Sequence, residues 1–427
     1  MKRKFYKLLI CCIILLISTS VYSQYKNVLI SDFFMPEEVS IAVNPKNPAQ
    51  VAAGANITNY YYSTDTGKTW QHGYLKSTYG VGGDPVLISD TAGNFYYFHL
   101  ADYSKGSRLD RIVCQKSIDG GKTWSKGTFT GLNGAKVEDK HWPVVDPATN
   151  YIYVTWTQFD KYRDDNPAPT DSSNIMFSAS MDGGETWSPA KRINKFSGDC
   201  EDGDNTVEGA VPAVGPKGEI YLCWAGPKGV VFNRSLDKGK IWLEKEIFIT
   251  DIPGGWDIDI PGIYRCNGMP VTACDLSNGP DQGAIYVNWA DQRNGVDNTD
   301  VWVSKSNDQG NTWTKPIKVN NDRKKRHQFF TWMTIDQSNG WLYFVFYDRR
   351  KYSAKSLKTD VYLAVSKDGA KTFKNIKISE KPFIPDKTVF FGDYNNISVY
   401  KGIVRPIWTR LDKYDLSIWT ALIRMTK

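Results

Sequence analysis

Acidic side chains, one histidine and one tyrosine stand at the start of several short apolar segments of this chain. They are Glu37, Asp84, Asp139, His141, Glu208, Asp393 and Tyr394. Carboxyl and imidazole groups give and take protons, and a phenol becomes a competent nucleophile when a neighbouring carboxylate accepts its proton. If these residues meet in the folded chain, they could carry acid–base or covalent chemistry. The candidates for a catalytic role are Tyr394, Glu208, Asp393, His141 and Asp139.

A second group of polar residues stands where the following apolar segments end. It comprises His99 with Asp102, Asp160, Asp291 with Arg293, the run from Tyr347 to Arg350, and Arg410. Arginine recognises carboxylates, so Arg349, Arg350 and Arg410 are candidates for binding an acidic ligand. The remaining candidates for substrate binding are Asp84, Tyr347, Asp348 and His99.

The apolar segments between these residues are typical of β-strands. Inner strands such as Trp142–Asp146 and second strands such as Ile152–Trp156 are rich in aromatic and β-branched residues, and Gly, Asn and Pro separate them. Two more strands follow in each repeat, one entering and one leaving a recurrent turn. Four antiparallel strands per repeat predict a propeller blade.

The recurrent turn has the pattern S-x-D-x-G-x-T-W and occurs six times, at intervals of 54 to 71 residues, with Ile241, Ala370 and Phe373 as the departures at its fixed positions. The copies begin at Ser63, Ser117, Ser180, Ser235, Ser306 and Ser366. Its carboxylate can accept backbone N–H bonds within the turn, and its glycine supplies a positive φ. These aspartates are therefore predicted to fasten hairpins rather than to catalyse. Repetition at this period indicates a repeat architecture.

A seventh unit lacks the turn. Ile397–Tyr400, Val404–Trp408 and Leu416–Ile423 supply three strands, and Tyr25–Ile30 offers the fourth. The sequence thus predicts an all-β fold, a single propeller of seven blades with six as the alternative, closed by the N-terminal strand. The recurrent turns join strands three and four, so they share one rim. The ionisable residues then share the opposite rim, where loops on a rigid frame favour a ligand site.

The N-terminus has the features of a secretory signal peptide. Lys2, Arg3 and Lys4 precede the apolar run Leu8–Ile17, and small residues frame a cleavage point near Ser23. The run is too short for a convincing membrane span. We expect a mature chain of residues 24–427 that is secreted, periplasmic or on the cell surface.

The net charge of the mature chain bears on its partners, and its cysteines bear on disulfide formation. The formal net charge of +7 falls to +3 once Lys2, Arg3, Lys4 and Lys7 leave with the signal peptide, so nucleic acid is not expected as a partner. Five cysteines remain, and Cys200 with Cys266 is the candidate disulfide.

The acidic loop Asp199–Asp204 offers oxygen ligands suited to calcium, but its spacing matches no standard calcium loop. A solvated loop is the favoured interpretation. Neither a metal nor a cofactor is expected, and the oligomeric state stays open.

The repeated turn in an exported propeller resembles the sialidase superfamily, also called the bacterial neuraminidase repeat family, along the whole mature chain. Glu208–Tyr221 resembles the family's strand that presents a carboxylate base, and Asp393–Val404 resembles the segment with its tyrosine nucleophile. An arginine at Arg349 or Arg350 resembles one member of the cluster that binds the substrate carboxylate.

Three departures separate the chain from that family. Phe34-Met-Pro36 stands where the family has Arg-Ile-Pro, and Asn56 and Asn59 stand where a general-acid aspartate is expected. The arginine expected after the Glu208 segment is replaced near Trp224. Strict hydrolysis of sialic acid is therefore disfavoured.

Two classes of function remain. The first is a carbohydrate-active enzyme on acidic glycans, most simply a glycoside hydrolase of sialidase-like type, with a polysaccharide lyase on uronate-containing glycans as the alternative. Arg349, Arg350 and Arg410 would bind the carboxylate, while Tyr394, Glu208 and His141 would move protons or attack. The second class is a non-catalytic propeller that binds glycans or proteins, for which the surplus of Trp and Tyr suits stacking on sugars.

Overall fold

The computed structural model describes residues 25–102, 109–162 and 166–426 of the 427-residue chain. Within these ranges every regular element is a β-strand. The predicted signal peptide, residues 1–23, lies outside the described residues, so cleavage near Ser23 and export stay predictions. Among the described residues, no helix is long and apolar enough to cross a membrane.

The strands form consecutive antiparallel blades. The chain opens with β1 (Asn27–Ser31), which belongs to the last blade. Blade 1 holds β2 (Ser40–Val43), β3 (Val51–Ala55), β4 (Asn59–Ser63) and β5 (Gln71–Tyr74). Blade 2 holds β6 (Gly83–Ser89), β7 (Phe95–Leu100), β8 (Ile112–Ser117) and β9 (Thr128–Thr130). Blade 3 holds β10 (Val137–Val145), β11 (Ile152–Phe159), β12 (Ser173–Ser180) and β13 (Lys191–Arg192).

The second half of the chain continues the same pattern. Blade 4 holds β14 (Pro212–Val214), β15 (Ile220–Gly226), β16 (Gly229–Ser235) and β17 (Ile247–Thr250). Blade 5 holds β18 (Val271–Cys274), β19 (Ile285–Asp291), β20 (Asp300–Ser306) and β21 (Ile317–Lys318). Blade 6 holds β22 (Gln328–Asp336), β23 (Trp341–Asp348), β24 (Asp360–Ser366) and β25 (Lys374–Lys377). Blade 7 holds β26 (Asn396–Tyr400), β27 (Ile403–Asp412), β28 (Asp415–Ala421) and β29 (Ile423–Arg424).

The N-terminal strand closes the ring. β1 pairs antiparallel with β28, with Asn27 opposite Ala421, and the order in blade 7 is β1-β28-β27-β26. The prediction of seven blades and of this closure is confirmed. The predicted last strand Leu416–Ile423 corresponds to β28 and β29, which are interrupted only at Leu422 and pair with β27 in one continuous register.

The recurrent turns behave as fasteners. In the first copy the Ser63 hydroxyl donates to Asp65 Oδ1 at 2.8 Å, and the Thr69 backbone N–H donates to the same oxygen at 3.0 Å. Gly67 has a φ of +82° and donates its N–H to the Ser63 hydroxyl at 2.9 Å. The aromatic residue that ends the turn packs between blades, as Trp187 does against Phe98 of the preceding blade. These aspartates are therefore structural.

The turns predict how stability depends on pH. Burial opposes ionisation, but the hydrogen bonds within the turn, those from Thr69 and Thr186 foremost, together outweigh it and lower the pKa values of Asp65 and Asp182 to about 2. An unfolded aspartate titrates near ~3.9, so the folded state is favoured above that value and loses this stability as pH falls from about 4 to about 2.

The stability of the double variant Asp65→Asn, Asp182→Asn should depend less on pH in this window than that of the natural chain. The turns are largely exposed, so we expect each charge to contribute below about 1 kcal/mol. Urea unfolding at pH 6 and pH 3 measures the effect. An equal acid-induced loss in the variant and the natural chain would contradict the role of these carboxylates.

The two rims of the ring differ. We call the rim that carries the recurrent turns the turn rim and the opposite one the site rim. A cavity of about 570 Å³ lies among the last residues of the inner strands, on the turn rim, and its lining includes Ser89, Val145, Val214, Cys274, Ile335 and Tyr400. The predicted residues stand at the other end of these strands, on the site rim.

Candidate functional site

The inner strands bulge where they enter the site rim. The pairing register shifts between Gly83 and Val86 in β6 and between Asp139 and Trp142 in β10. Asp84 and Lys140, within these bulges, have φ values of 54° and 47°, and Glu38 before β2 has 50°. Side chains other than glycine rarely adopt such φ values, and strain of this kind clusters at functional sites. Here it places three ionisable side chains in the interior.

Lys140 is the centre of the cluster. Its Nζ lies 3.0 Å from Asp393 Oδ2, 3.6 Å from Asp84 Oδ2 and 3.8 Å from Asp139 Oδ1, and all four residues are buried. Burial disfavours the ammonium, yet the three carboxyl groups hold the pKa of Lys140 above its ordinary value. The sequence patterns did not single out this lysine.

The carboxyl groups around Lys140 differ in protonation. Burial opposes ionisation of Asp84, but Lys140 and contacts with the Glu38 and Asp139 carboxyls hold its pKa below the ordinary value. Burial raises the pKa of Asp139 to about 7 and that of Glu38 well above its ordinary value. Near neutral pH, Asp84 is therefore ionised beside the Lys140 ammonium, while Glu38 holds its proton.

Asn56 organises the edge of the cluster. Its Nδ2 donates to Glu38 Oε2 at 2.5 Å and to Glu37 Oε2 at 3.3 Å, while its Oδ1 accepts the backbone N–H of Asp84 at 2.8 Å. Burial raises the pKa of Glu37 to about 8. This asparagine thus orients two protonated carboxyls rather than acting as an acid itself.

Tyr394 stands at the inner edge of the cluster. It is only 4% exposed, and its ring packs edge-on against Trp142 with centroids 5.0 Å apart. Within the described ranges its hydroxyl has no hydrogen-bond partner. Burial first, then the charges of Asp84 and Glu38, raise the pKa of Tyr394 well above its ordinary value, so the phenol is neutral at rest.

A glycine permits this approach. A Cβ on Gly392, which has a φ of +86°, would lie 2.7 Å from the backbone nitrogen of Glu38. Blade 7 can therefore bring Asp393 and Tyr394 against the residues of blades 1 and 2 only because residue 392 has no side chain.

Glu208 and His141 are the other buried members. No N–H or O–H donor of the described residues reaches the Glu208 carboxyl oxygens, and burial followed by the nearby charge of Asp202 raises its pKa well above the ordinary value. Burial lowers the pKa of His141 to about 4, so its imidazole is neutral at pH 7. The carboxyls with the largest effect on the pKa of Tyr394 are those of Asp84 and Glu38, not that of Glu208.

An arginine that the sequence analysis did not single out also contacts the cluster. Arg265 donates from Nε to Asp393 Oδ1 at 2.9 Å and from Nη1 to Asp202 Oδ2 at 2.9 Å. Tyr162 donates its hydroxyl to the same Asp202 oxygen at 3.1 Å. Arg265 lies in residues 251–270, the connection between β17 and β18, which we call the strap. A connection this long is uncommon and could have been recognised as functional from its length.

The strap covers the cluster. Trp256, Ile258, Ile260 and Ile263 within it are buried, and the cleft between Arg265 and Asp393 has a volume of only about 10 Å³. This cleft admits no sugar as it stands. The strap therefore closes the cluster in this structure.

The predicted substrate-binding residues separate into two sets. Arg349 lies under the strap and donates from Nη1 to the Pro261 carbonyl at 2.7 Å. Its Nη2 is buried with no hydrogen-bond partner in the part of the chain that the structure describes. Burial lowers the pKa of Arg349 to about 10. Of the predicted substrate-binding residues, Asp84 lies beside Lys140, whereas Arg349 contacts the strap and Thr359 of blade 6.

The other members have local partners of their own. Arg350 pairs with Asp348, Arg410 pairs with Asp412, and the Tyr347 hydroxyl donates to the Thr409 carbonyl at 2.7 Å. The His99 ring contacts the Leu100 carbonyl at 2.8 Å and Gln115 Oε1 at 3.1 Å. These contacts give each residue a structural task, and its part in substrate binding stays a prediction.

Two expectations about the loops are corrected. Cys200 and Cys266 are separate free thiols, because each is buried in a different apolar cluster. Asp202 in the acidic loop is buried and paired with Arg265 rather than solvated. Across the described ranges, no group of three or more His, Cys, Asp or Glu residues could hold a metal ion.

Arg265→Gln should loosen the strap. Hydrogen bonds to charged groups contribute about 1.5–3 kcal/mol, so amide hydrogen exchange in residues 251–270 should accelerate about 10- to 100-fold. Arg111→Gln, which breaks the pair of Arg111 with Asp110 in blade 2, is the matched control and should leave strap exchange unchanged. Unchanged exchange in Arg265→Gln would show that apolar packing alone holds the strap.

Comparison with known proteins supports the architecture. No protein family and no curated protein matches the chain. Among solved structures, an ulvan lyase is similar with a TM-score of 0.54 at 12% identity, covering 93% of this chain and 96% of the other. An α-L-arabinofuranosidase from Fusarium graminearum has a TM-score of 0.50 at 15% identity, covering 80% and 98%. A Hadza microbial sialidase has a TM-score of 0.49 at 13% identity, covering 87% and 73%. At these identities the chain shares a fold with carbohydrate-active proteins, and the fold is a seven-bladed β-propeller.

Proposed function

We propose that the protein is an exported carbohydrate-active enzyme, a glycoside hydrolase of sialidase-like type that acts on acidic glycans. One observation carries the proposal: the buried Tyr394 hydroxyl has no hydrogen-bond partner in the described ranges, and the charges of Asp84 and Glu38 act on it. A fold alone does not need such a costly arrangement. The ulvan lyase and the arabinofuranosidase of similar fold act on glycans, which supports the substrate class.

The different protonation states suggest the roles. Paired acids with pKa values pushed apart are the usual basis of acid and base assignments. In the proposed first step, the Tyr394 oxygen attacks the anomeric carbon while Asp84 takes the phenolic proton. The bond to the leaving oxygen breaks as protonated Glu208 donates its proton. Water then cleaves the tyrosyl–glycosyl bond, and the groups return their protons. Glu208 is thus the acid rather than the base that the family resemblance implied.

Arg349 is the proposed ligand of the substrate carboxylate. A buried guanidinium without a carboxylate partner is costly unless an anion joins it. Its Nη2 has no hydrogen-bond partner in the described ranges, while its Nη1 holds the strap at the Pro261 carbonyl. The proposal therefore includes displacement of the strap when the glycan binds.

A polysaccharide lyase is the second candidate, and the neutral His141 favours it. A neutral imidazole can remove the proton at C5 of a uronate while the neutral Tyr394 donates to the leaving oxygen, with formation of a carbon–carbon double bond. A solved ulvan lyase of the same fold is bound to a glucuronate-containing chain, which is consistent with this chemistry.

One screen separates these functions. The purified protein is incubated with sialosides, polygalacturonate and ulvan, and both reducing ends and ultraviolet absorbance are followed. New reducing ends without absorbance support the hydrolase, and new ends with absorbance support the lyase. Binding of a glycan without turnover on any substrate would contradict both and assign a binding propeller.

A further inference from the structure

Blade 1 exposes a cluster of apolar side chains at the site rim. We call Phe33, Phe34, Met35, Ile57 and Tyr74 the aromatic platform. Phe34 is 64% exposed, Ile57 57% and Phe33 54%. Large apolar side chains gathered at one exposed place mark a binding surface more often than single ones do.

The rings of the platform contact one another. The centroids of Phe33 and Phe34 are 4.1 Å apart, and those of Phe34 and Tyr74 are 5.9 Å apart. His72 supports Tyr74 from the side at 4.5 Å. Phe33, Phe34 and Tyr74 therefore form one continuous aromatic surface.

The backbone is held in an unfavourable conformation to present these side chains. Phe34 has a φ of 59° and Met35 a φ of 48°. Neither residue gains burial from this conformation, since both are exposed. Strain without burial is typical of segments shaped to contact a ligand.

The platform and the carboxyl cluster are adjacent along the backbone. Met35 is two residues from Glu37, so their backbones are at most about 7 Å apart. Ile57 directly follows Asn56, whose side chain bonds Glu38 and the backbone of Asp84. A glycan with one residue at the cluster would reach the platform with a neighbouring residue.

We propose that the aromatic platform is a subsite for the apolar face of a neutral sugar in a longer glycan. This deepens the proposed function, since it makes the substrate a polymer or oligosaccharide with an uncharged residue beside the acidic one. The C–H faces of sugars stack on aromatic rings, and the five platform side chains are all uncharged. Burial lowers the pKa of the adjoining His72, which disfavours its charged form.

Direct binding tests the platform without turnover. The full chain carrying Tyr394→Phe is run through native gels that contain arabinoxylan, galactan, ulvan or polygalacturonate. The dissociation constant from retardation is compared with that of the same chain carrying Phe34→Ala and Tyr74→Ala. We expect at least about a 10-fold weakening for one or more polysaccharides. Ile118→Ala and Ile241→Ala, at exposed positions on the turn rim (80% and 72%), form the matched control and should bind as the parent does.

Kinetics provide the second readout. On a polymeric substrate the platform variant should raise KM at least about 10-fold with kcat retained, and on a short aryl glycoside both constants should stay unchanged. Platform-dependent retardation without any turnover by the natural chain would reject the proposed enzyme and keep the sugar subsite.

Three results would overturn the platform proposal. They are retardation by no polysaccharide, equal retardation of the parent and platform variants, and a concentration-dependent dimer or flotation with phosphatidylcholine vesicles that requires Phe34.

Discussion

Tyr394→Phe should lower turnover by at least about 10³-fold while leaving the fold intact. The hydroxyl is the only atom group removed, and it has no hydrogen-bond partner among the described residues, so little stability depends on it. Both proposed mechanisms need it, as a nucleophile in the hydrolase or a proton donor in the lyase, and positioned proton transfer alone contributes about 10²–10⁴-fold. Steady-state kcat on the active substrate, with thermal unfolding beside it, measures the effect.

Tyr343→Phe is the matched control. Tyr343 in β23 is also buried with a hydroxyl that lacks a partner in the described ranges. The substitution removes the same atom away from the carboxyl cluster, so activity should stay within about 2-fold of the natural chain. A Tyr394→Phe variant as active as this control would reject the proposed site.

Lys140→Met should destabilise the protein by about 3–5 kcal/mol at pH 7. The substitution leaves Asp84 and Asp393 buried without their shared ammonium, and breaking a buried ion pair from one side has this cost. Activity should fall as well, because the pKa of Asp84 would rise and its carboxylate would become protonated. Denaturant unfolding together with activity measurements tests both effects.

The pH dependence of the stability of Lys140→Met shows whether the charge or the alkyl chain of Lys140 matters. In the natural chain Lys140 keeps the pKa values of Asp84 and Asp393 below their ordinary range. Without it these carboxyls become protonated at higher pH, so the destabilisation should shrink as pH falls from 7 towards 4.

Lys136→Met is the control for Lys140→Met. It breaks the exposed pair of Lys136 with Asp160 and should cost below about 1 kcal/mol at either pH. A constant deficit of Lys140→Met across the pH range would indicate that its alkyl chain matters rather than its charge.

The sequence already indicated which of the three candidate arginines would pair with a neighbouring aspartate. Arg350 follows Asp348 by two residues, and Arg410 precedes Asp412 by two. In an extended strand such residues share a face, and the structure pairs them. Arg349 has no such neighbour, so only its burial beneath the strap made it a distinct candidate.

The sequence by itself determined the ring. The recurrent turn closes through local hydrogen bonds between residues a few positions apart, so its six copies specify six hairpins. The density of aromatic and β-branched residues specifies the strands around them. Even the joining of β1 to the last blade followed from an otherwise unpaired strand at each terminus.

Only the tertiary structure decided the composition of the site. A regular strand would turn Lys140 away from Asp139, but the bulge in β10 brings both into one cluster. Asp202, Arg265 and Asp393 come from loops of different blades, and nothing in their spacing encodes their contact. Local hydrogen bonding repeats along a chain and can be read from it, whereas a buried charge cluster depends on how separate loops meet across the axis.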